Sequence, residues 1–487
     1  MPELADALAA PLIFEQGQPG RANAYLPHHA EGADAYLPRE VLRDDLPLPD
    51  NTELDVVRHF TRLSQRTFGI DLGFYPLGSC TMKYNPRIND AMANLPGLRD
   101  LHPLVPDELA QGALAVMWEL ERTLSTLFGM AAFSLNPAAG AQGELAALLI
   151  SKAYFKKRGE SKRKTVVVPD TAHGTNPASA AMVGYKVISL ESDSRGRVDP
   201  GALRMVVGDE TAVCMMTNPN TLGLFEDRIK EIADIVHGAG GLMYYDGANA
   251  NALMGNARPG DMGFDLMHLN LHKTFSIPHG GGGAGAGPLG VAAHLVDFLP
   301  VPVVRKNGDA LALDFDVPST IGPMRSFWSN FAHMVRALAY VCANGGEGLA
   351  RVSQLAVLNA NYVRAKIRDV LETPYDEWCR HEFVASAQKL KRETGVRALD
   401  IAKALLDQGY MAPTIYFPLI VPECLMIEPT ETESKETLDG FIATLREIVA
   451  RAHDDPKSIE AAPQYTAVGR VDEVRAAREP DLRWTAY

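Results

Sequence analysis

Cysteine is scarce in this chain. The five present in 487 residues (Cys80, Cys214, Cys342, Cys379, Cys424) are odd in number, widely spread and without a Cys-x-x-Cys pair. That pattern excludes a disulfide framework and a zinc ribbon, so reduced thiols are expected. Long apolar runs are missing too: none reaches the roughly eighteen uncharged residues a spanning helix needs. The N-terminal MPELADALAAPLIFEQ carries acids and no basic segment, so no signal peptide is expected and the cytoplasm is the expected compartment. Positive charge is in deficit, 47 Lys and Arg against 60 Asp and Glu, a formal net charge of -13. The mean field therefore opposes nucleic acid and anionic membrane as general partners. Nucleotide signatures are absent as well. Gly280–Gly283, with Gly285 and Gly287, form no G-x-x-x-x-G-K-[ST] and no G-x-G-x-x-G opening a helix.

What is present is the composition of a folded protein, 46% hydrophobic and 22% charged, in a chain too long for one ordinary core. The first ~50 residues are rich in Pro, Ala and acids, with AYLP at Ala24–Pro27 and again at Ala35–Pro38, and make an arm with no core of its own. Apolar residues at three- and four-residue steps from Leu109 to Phe128, stopping at Gly129, predict a helix. A second follows over Gln142–Phe155. Then apolar runs (TVVVPD, KVISL, TAVCMMTN, GLMYYDGA, FDLMHLNLHK) alternate with helical patterns at Thr175–Val183, Pro200–Val207 and Glu226–His237. Such alternation predicts an α/β fold, a mainly parallel sheet covered by helices. Beyond Asp316 helices dominate (Phe327–Ala343, Val352–Val370, Ala398–Leu406, Ser434–Ala452), with a strand at Thr414–Leu419 and a polar tail from Val468. The expected division is an N-terminal arm and loop over 1–90, a large domain over 91–325 and a smaller C-terminal α+β domain over 326–487.

Ligands of such sheets bind at the carboxyl ends of the strands. There His272-Lys273 follows an apolar strand and precedes the glycine run. A lone Lys at a strand end is usually a solvated charge, and the glycines serve equally as a flexible turn or as a place where backbone meets a ligand. An unperturbed Lys titrates near ~10.4, and a desolvated one is suited to forming an imine with an aldehyde cofactor. Asp246, at the end of YYDGA with Ala248 in the same turn, either caps that turn or faces a pyridine nitrogen. His173, after TVVVPD, is either structural or an aromatic face for a cofactor ring with acid–base capacity. Gly140-Ala141-Gln142 open a helix whose N–H groups and dipole suit a phosphate. Taken singly these are weak signals. Their order, small residues at a helix start, then His, Asp and Lys followed by glycines, resembles that of fold-type-I enzymes using pyridoxal phosphate (PLP).

Longer segments narrow the resemblance. FYPLGSCTMKYNPRIN (Phe74–Asn89), DTAHGTNPASAAMVGYKV, TNPNTLGLFE, DGANANALMG, RPGDMGFDLMHLNLHKTFSIPHGGGGAGAGPLGV, MAPTIYFPL and IEPTETESKETLD are similar to the P-protein family of the glycine cleavage system, and in particular to subunit 2, the PLP-bearing chain of its split form. The resemblance implies decarboxylation of glycine with transfer of the aminomethyl group to the lipoyl arm of H-protein. It also implies a subunit 1 partner in a heterotetramer of two copies of each chain. Lys273 would be the covalent anchor and proton carrier, Asp246 the partner of the ring, His272 a phosphate contact and His173 the ring's stacking partner. Cys80 stands in the family's other signature, Gly78–Lys83; the reaction needs no protein thiol, so that loop is expected to line the site or a subunit contact, with Lys83 a candidate for the lipoyl channel. Two other readings are another fold-type-I amino-acid decarboxylase or aminotransferase, and a catalytically silent scaffold subunit.

Overall fold

The computed structural model describes residues 11–21, 38–42, 48–279 and 285–483. The first AYLP copy, all but Pro38 of the second, and Gly280–Gly283 lie outside the described residues. The chain divides into two compact units, Met1–Gly73 with Ala461–Tyr487, and Phe74–Glu460. The signature loop Phe74–Asn89 thus falls in the same unit as the sheet.

In the first unit the main helix is Glu53–Arg66. It starts where the Thr52 hydroxyl accepts the Asp55 N–H at 3.2 Å and Asp55 accepts the Thr52 N–H at 3.0 Å, a reciprocal capping box. The tail after Val468 is not wholly irregular: Asp472 caps a short helix, Glu473–Arg478, with no buried residue.

The second unit is built on a seven-stranded sheet: β1 (Ala132–Ser134), β2 (Thr165–Pro169), β3 (Lys186–Leu190), β4 (Thr211–Met216), β5 (Leu242–Gly247), β6 (Leu266–Leu269) and β7 (Leu289–Val291), in the order β1-β7-β6-β5-β4-β2-β3. The run from β3 to β6 is parallel, and β7 is antiparallel to both of its neighbours. The mainly parallel sheet is as expected. The strands β1 and β7, three residues each, are too short to show a period in sequence. Alternate residues point to opposite faces: Val166, Val213, Met215 and Tyr244 join one apolar cluster, Val167, Cys214, Met243 and Tyr245 the other. Burial on both faces explains the unbroken apolar runs.

A hairpin of β8 (Val303–Asn307) and β9 (Ala310–Asp314) follows. A smaller sheet places β12 (Cys424–Ile427) between β10 (Phe383–Ser386) and β11 (Thr414–Ile415). The expected strand Thr414–Leu419 is cut to two residues because Tyr416 adopts φ 58°, which a strand does not permit. The helix expected from Phe327 starts at Phe331, since Phe327 and Ser329 also have positive φ. It runs to Ile367 through a break at Gly345, with φ 64° and ψ 179°.

Candidate functional site

The carboxyl ends of β1, β2, β4, β5 and β6 surround a cavity of about 250 Å³. It is lined among others by Gly140, Ala141, His173, Asp246, Ala248, His272 and Lys273, so seven of the eight residues singled out in the sequence converge there. Gln142 does not line it. Its side chain is tied to backbone, accepting the Ala138 N–H at 2.6 Å and donating to the Met324 carbonyl at 2.7 Å.

Lys273 lies four residues past the end of β6, in a turn closed by its own N–H on the Asn270 carbonyl at 3.0 Å. Its Nζ donates to the carbonyl of Ser79 at 2.6 Å. Ser79 and Thr81 have φ of 65° and 43°, a conformation that costs non-glycine residues roughly 1–3 kcal/mol and persists only where the surroundings enforce it. Here buried carboxylates enforce it. Glu382 accepts the Ser79 N–H at 2.7 Å, and Glu428 accepts the Thr81 N–H at 3.1 Å and its hydroxyl at 2.5 Å. Burial raises both carboxyls: Glu382 is pushed further up by the charge of Glu428, and Glu428 reaches about 6 against the pull of Thr81, Asn249 and Lys273.

The signature loop therefore lines the site through Ser79. Burial pushes the Cys80 thiol up, against the pull of Lys273, so the thiol is not activated as a nucleophile. Lys83 is no channel residue. It is 3% exposed, pairs with Glu431 at 2.6 Å and donates to the Thr274 carbonyl at 2.8 Å, bracing the segment just after Lys273.

Asp246 on β5 is 3% exposed. Its Oδ2 accepts from Asn176 Nδ2 at 2.9 Å, its Oδ1 accepts the Ala248 N–H at 3.1 Å, and His268 Nε2 stands 3.5 Å from Oδ1. Burial pushes its pKa up, but His268, those donors and Lys273 outweigh it and hold the carboxyl below its usual range. Glu144 goes the other way: burial and the charge of Asp246 raise it to about 8, while the hydroxyls of Thr175 and Ser179 donate to it at 2.7 and 3.1 Å. At neutral pH the pocket thus holds a charged Asp246 beside a protonated Glu144.

His173 sits at the exposed end of β2, its Nδ1 accepting the Thr175 N–H at 3.2 Å and its ring meeting Phe417 edge-on at 5.7 Å between centroids. Desolvation by the surrounding chain lowers its pKa, helped by Lys273 and opposed by Asp246. His272 packs where a Cβ on Gly285 would stand 3.0 Å from its Nδ1. Burial and the adjacent Lys273 bring its pKa to about 3, leaving a neutral imidazole.

The helix Gly140–Lys157 begins without a side-chain cap, and its first bond is from the Gly143 N–H to the Ala139 carbonyl. The N–H groups before it point out of the helix toward the cavity end. Gly140 approaches Asn270 closely: a Cβ there would lie 2.2 Å from Asn270 Oδ1 and would push that amide aside. Among the described residues, Thr217 Oγ1, Asn270 Oδ1, His268 Nε2 and both ring nitrogens of His381 are buried without partners on the cavity lining. Orphaned polar atoms at this density mark a site built for a polar ligand. An amine, a buried carboxylate, an open imidazole face and a free helix N-terminus together fit PLP. His268, Glu144, Thr217, His381 and Glu382 were not anticipated. For His268 a signal existed, a lone His inside an apolar strand; His381-Glu382 are far along the chain, before a strand too short to recognise.

Two family models match the chain: "Aminotransferase class-V" over residues 140–284 and "Glycine dehydrogenase, C-terminal domain" over residues 352–463. The probable glycine dehydrogenase (decarboxylating) subunit 2 of Caldanaerobacter subterraneus subsp. tengcongensis is 55% identical over 479 residues, covering 97% of this chain and 98% of that protein. Its counterpart from Pyrococcus abyssi is 54% identical, covering 98% and 96%. A crystal structure of glycine decarboxylase (P-protein) of the glycine cleavage system, in inhibitor-bound form, superposes with a TM-score of 0.72 at 22% identity, over 86% of this chain and 95% of that one, a likeness of fold. Identity above one half along nearly the whole length, with the Lys–Asp–His cavity in place, settles the assignment: the chain belongs to the family of glycine dehydrogenase (decarboxylating) subunit 2, the P-protein of the glycine cleavage system.

Proposed function

We propose that this chain decarboxylates glycine with PLP held on Lys273 and passes the remaining aminomethyl group to the lipoyl arm of H-protein. The convergence of Lys273, Asp246, His173 and the Gly140 helix end on one cavity carries the reading. The family selects it over another decarboxylase or an aminotransferase, and a functional amine in the cavity argues against a silent scaffold. PLP, when bound, supplies an aldehyde that takes up the substrate amine and a protonated pyridine ring that accepts the electron pair left as CO2 departs.

The residues divide the rest of the work. Lys273 anchors the cofactor and carries a proton at Nζ, with the Ser79 carbonyl as its resting acceptor. The Asp246 carboxylate keeps the ring nitrogen protonated. The N–H groups at Gly140 and Ala141 hold the phosphate, helped by the neutral His272 imidazole. His173 covers the ring from the open side, and Ala248 fixes Asp246 through its N–H. Burial of Asp246 at the floor of the cavity keeps water from its carboxylate, which strengthens its interaction with the ring.

The partner is subunit 1. A heterotetramer of two copies of each chain, working in the cytoplasm with H-protein, completes the proposal. The holoenzyme should be yellow, and borohydride should fix a phosphopyridoxyl group on the peptide carrying Lys273. Lys273→Ala should lose both trapping and the exchange of labelled bicarbonate into glycine, while still pairing with subunit 1 in sedimentation. Exchange near the wild-type rate in that variant overturns the reading.

A further inference from the structure

Asp246 has a partner on the next strand that none of the roles above uses. The parallel register of β5 and β6 sets Asp246 opposite His268. Because side chains alternate along a strand, Tyr244, two residues before Asp246, lies on the same face. The three form a buried row. The Tyr244 hydroxyl is hydrogen-bonded to His268 Nδ1, His268 Nε2 faces Asp246 Oδ1 at 3.5 Å, and both Tyr244 and His268 are fully buried.

The tautomer follows from counting protons. The phenol of Tyr244 has one hydrogen to donate, and the hydrogen bond to His268 Nδ1 is its place, so Nδ1 accepts. The imidazole is neutral, since burial brings its pKa to about 4, and its one proton is therefore on Nε2, aimed at the carboxylate. The opposite tautomer would set a lone pair against an anion. Asp246 then accepts N–H groups from Asn176 and Ala248, and the Nε2–H of His268 faces it at 3.5 Å, an oriented dipole at close range rather than a formed hydrogen bond.

Glu144, Asp246 and His268 present ligand atoms within 4.8 Å of one another. The Glu144 oxygens already accept from Thr175 and Ser179. Burial and the charge of Asp246 raise Glu144 to about 8, so at neutral pH the negative charge of the trio sits on Asp246. Helix Gly140–Lys157 closes over it at Gly143, where a Cβ would stand 2.8 Å from His268 Cβ.

We propose that His268, oriented by Tyr244, is a positioning residue that keeps Asp246 ionised for the ring nitrogen of the cofactor. The inference rests on the placement of PLP against Asp246 proposed above. Its chemistry is specific to one atom of the cofactor, so a cofactor analogue in which that nitrogen is replaced by a C–H group reports on it directly.

The test is the ratio of affinities for PLP and for that carbocyclic analogue, measured by equilibrium dialysis on the complex with subunit 1. Wild type should favour PLP, and Asp246→Asn should remove the preference. His268→Phe should lower the ratio by roughly tenfold, the equivalent of about one pKa unit at Asp246. Tyr244→Phe, which deletes one oxygen and frees the tautomer, should lower it less, and His268→Gln, which retains an N–H donor, should recover part of it. Should His268→Phe fail to fold, the latter two variants decide. If Asp246→Asn removes the preference while the His268 and Tyr244 variants keep the wild-type ratio, the positioning role is wrong and the cofactor placement stands. If wild type and Asp246→Asn both show no preference, the placement itself is wrong and the role falls with it.

Discussion

Gly143 shows how much of the site depends on atoms that are not there. A Cβ at this position would meet His268 Cβ at 2.8 Å and the Gly287 carbonyl at 2.9 Å, neither of them the end of a flexible side chain. The helix whose N-terminus lines the cavity can therefore approach the sheet this closely only with glycine here. Gly143→Ala should destabilise by about 1–3 kcal/mol, the usual cost of overpacking. A lowered melting temperature together with weakened PLP uptake would be the signature; unchanged values of both would show that the helix can shift freely. Gly140 invites the same experiment from the cavity side. At this scale the sequence showed residues that line the cavity, because Lys273, Asp246 and His173 sit at strand ends where chain order exposes them. It did not show their supports. His268 and Glu144 lie inside apolar stretches, and their partnership with Asp246 arises only when β5, β6 and the helix are brought together. Lys83 misled for a related reason: a charged residue in a loop was expected to be open to solvent, and its partner Glu431 lies hundreds of residues away.

Elements carry their own constraints. The long helix Phe331–Ile367 passes through Gly345 at φ 64° and ψ 179°, a region essentially closed to other residues. Gly345→Ala should cost about 1–3 kcal/mol without touching the cavity, visible as a lower melting temperature with unchanged affinity for PLP. The connection after β4 carries a pH dependence. Glu226 accepts the Val198 N–H at 3.3 Å and is raised from 4.5 to about 7 by burial. The folded chain therefore holds a proton between those values that the unfolded chain has released. Stability must fall as pH rises through that window, at up to about 1.4 kcal/mol per pH unit. Glu226→Gln should flatten this segment of the denaturation-versus-pH curve; an unaltered slope would assign it to another group. The helix–strand alternation was legible because continuous apolar runs and caps are local features. The β1, β7, β10 and β12 strands were not, since each has only three or four residues and exists through its pairing.

Across the whole molecule, burial shields all but one of the thiols. Cys214, Cys379 and Cys424 are buried with pKa values pushed to about 12, and burial raises Cys80 as well. Cys342 is the exposed one. Near neutral pH, iodoacetamide should label the native protein rapidly at Cys342 alone and reach all five only after denaturation. Fast labelling of Cys80 would mean that the signature loop opens in solution. The pairing with subunit 1 came from family resemblance, as no compositional feature could have specified it.

The register of β5 against β6 reaches beyond catalysis. Asp246 and His268 meet because the two strands are aligned residue for residue, and a slip of one position would turn either set of side chains to the opposite face. With PLP placed against Asp246 as proposed, a chain that zips its sheet wrongly then has no acceptor for the cofactor's ring proton. Colour thus becomes a quality mark on the fold: during production of the protein, the yellow fraction counts the molecules whose central strands have found their partners.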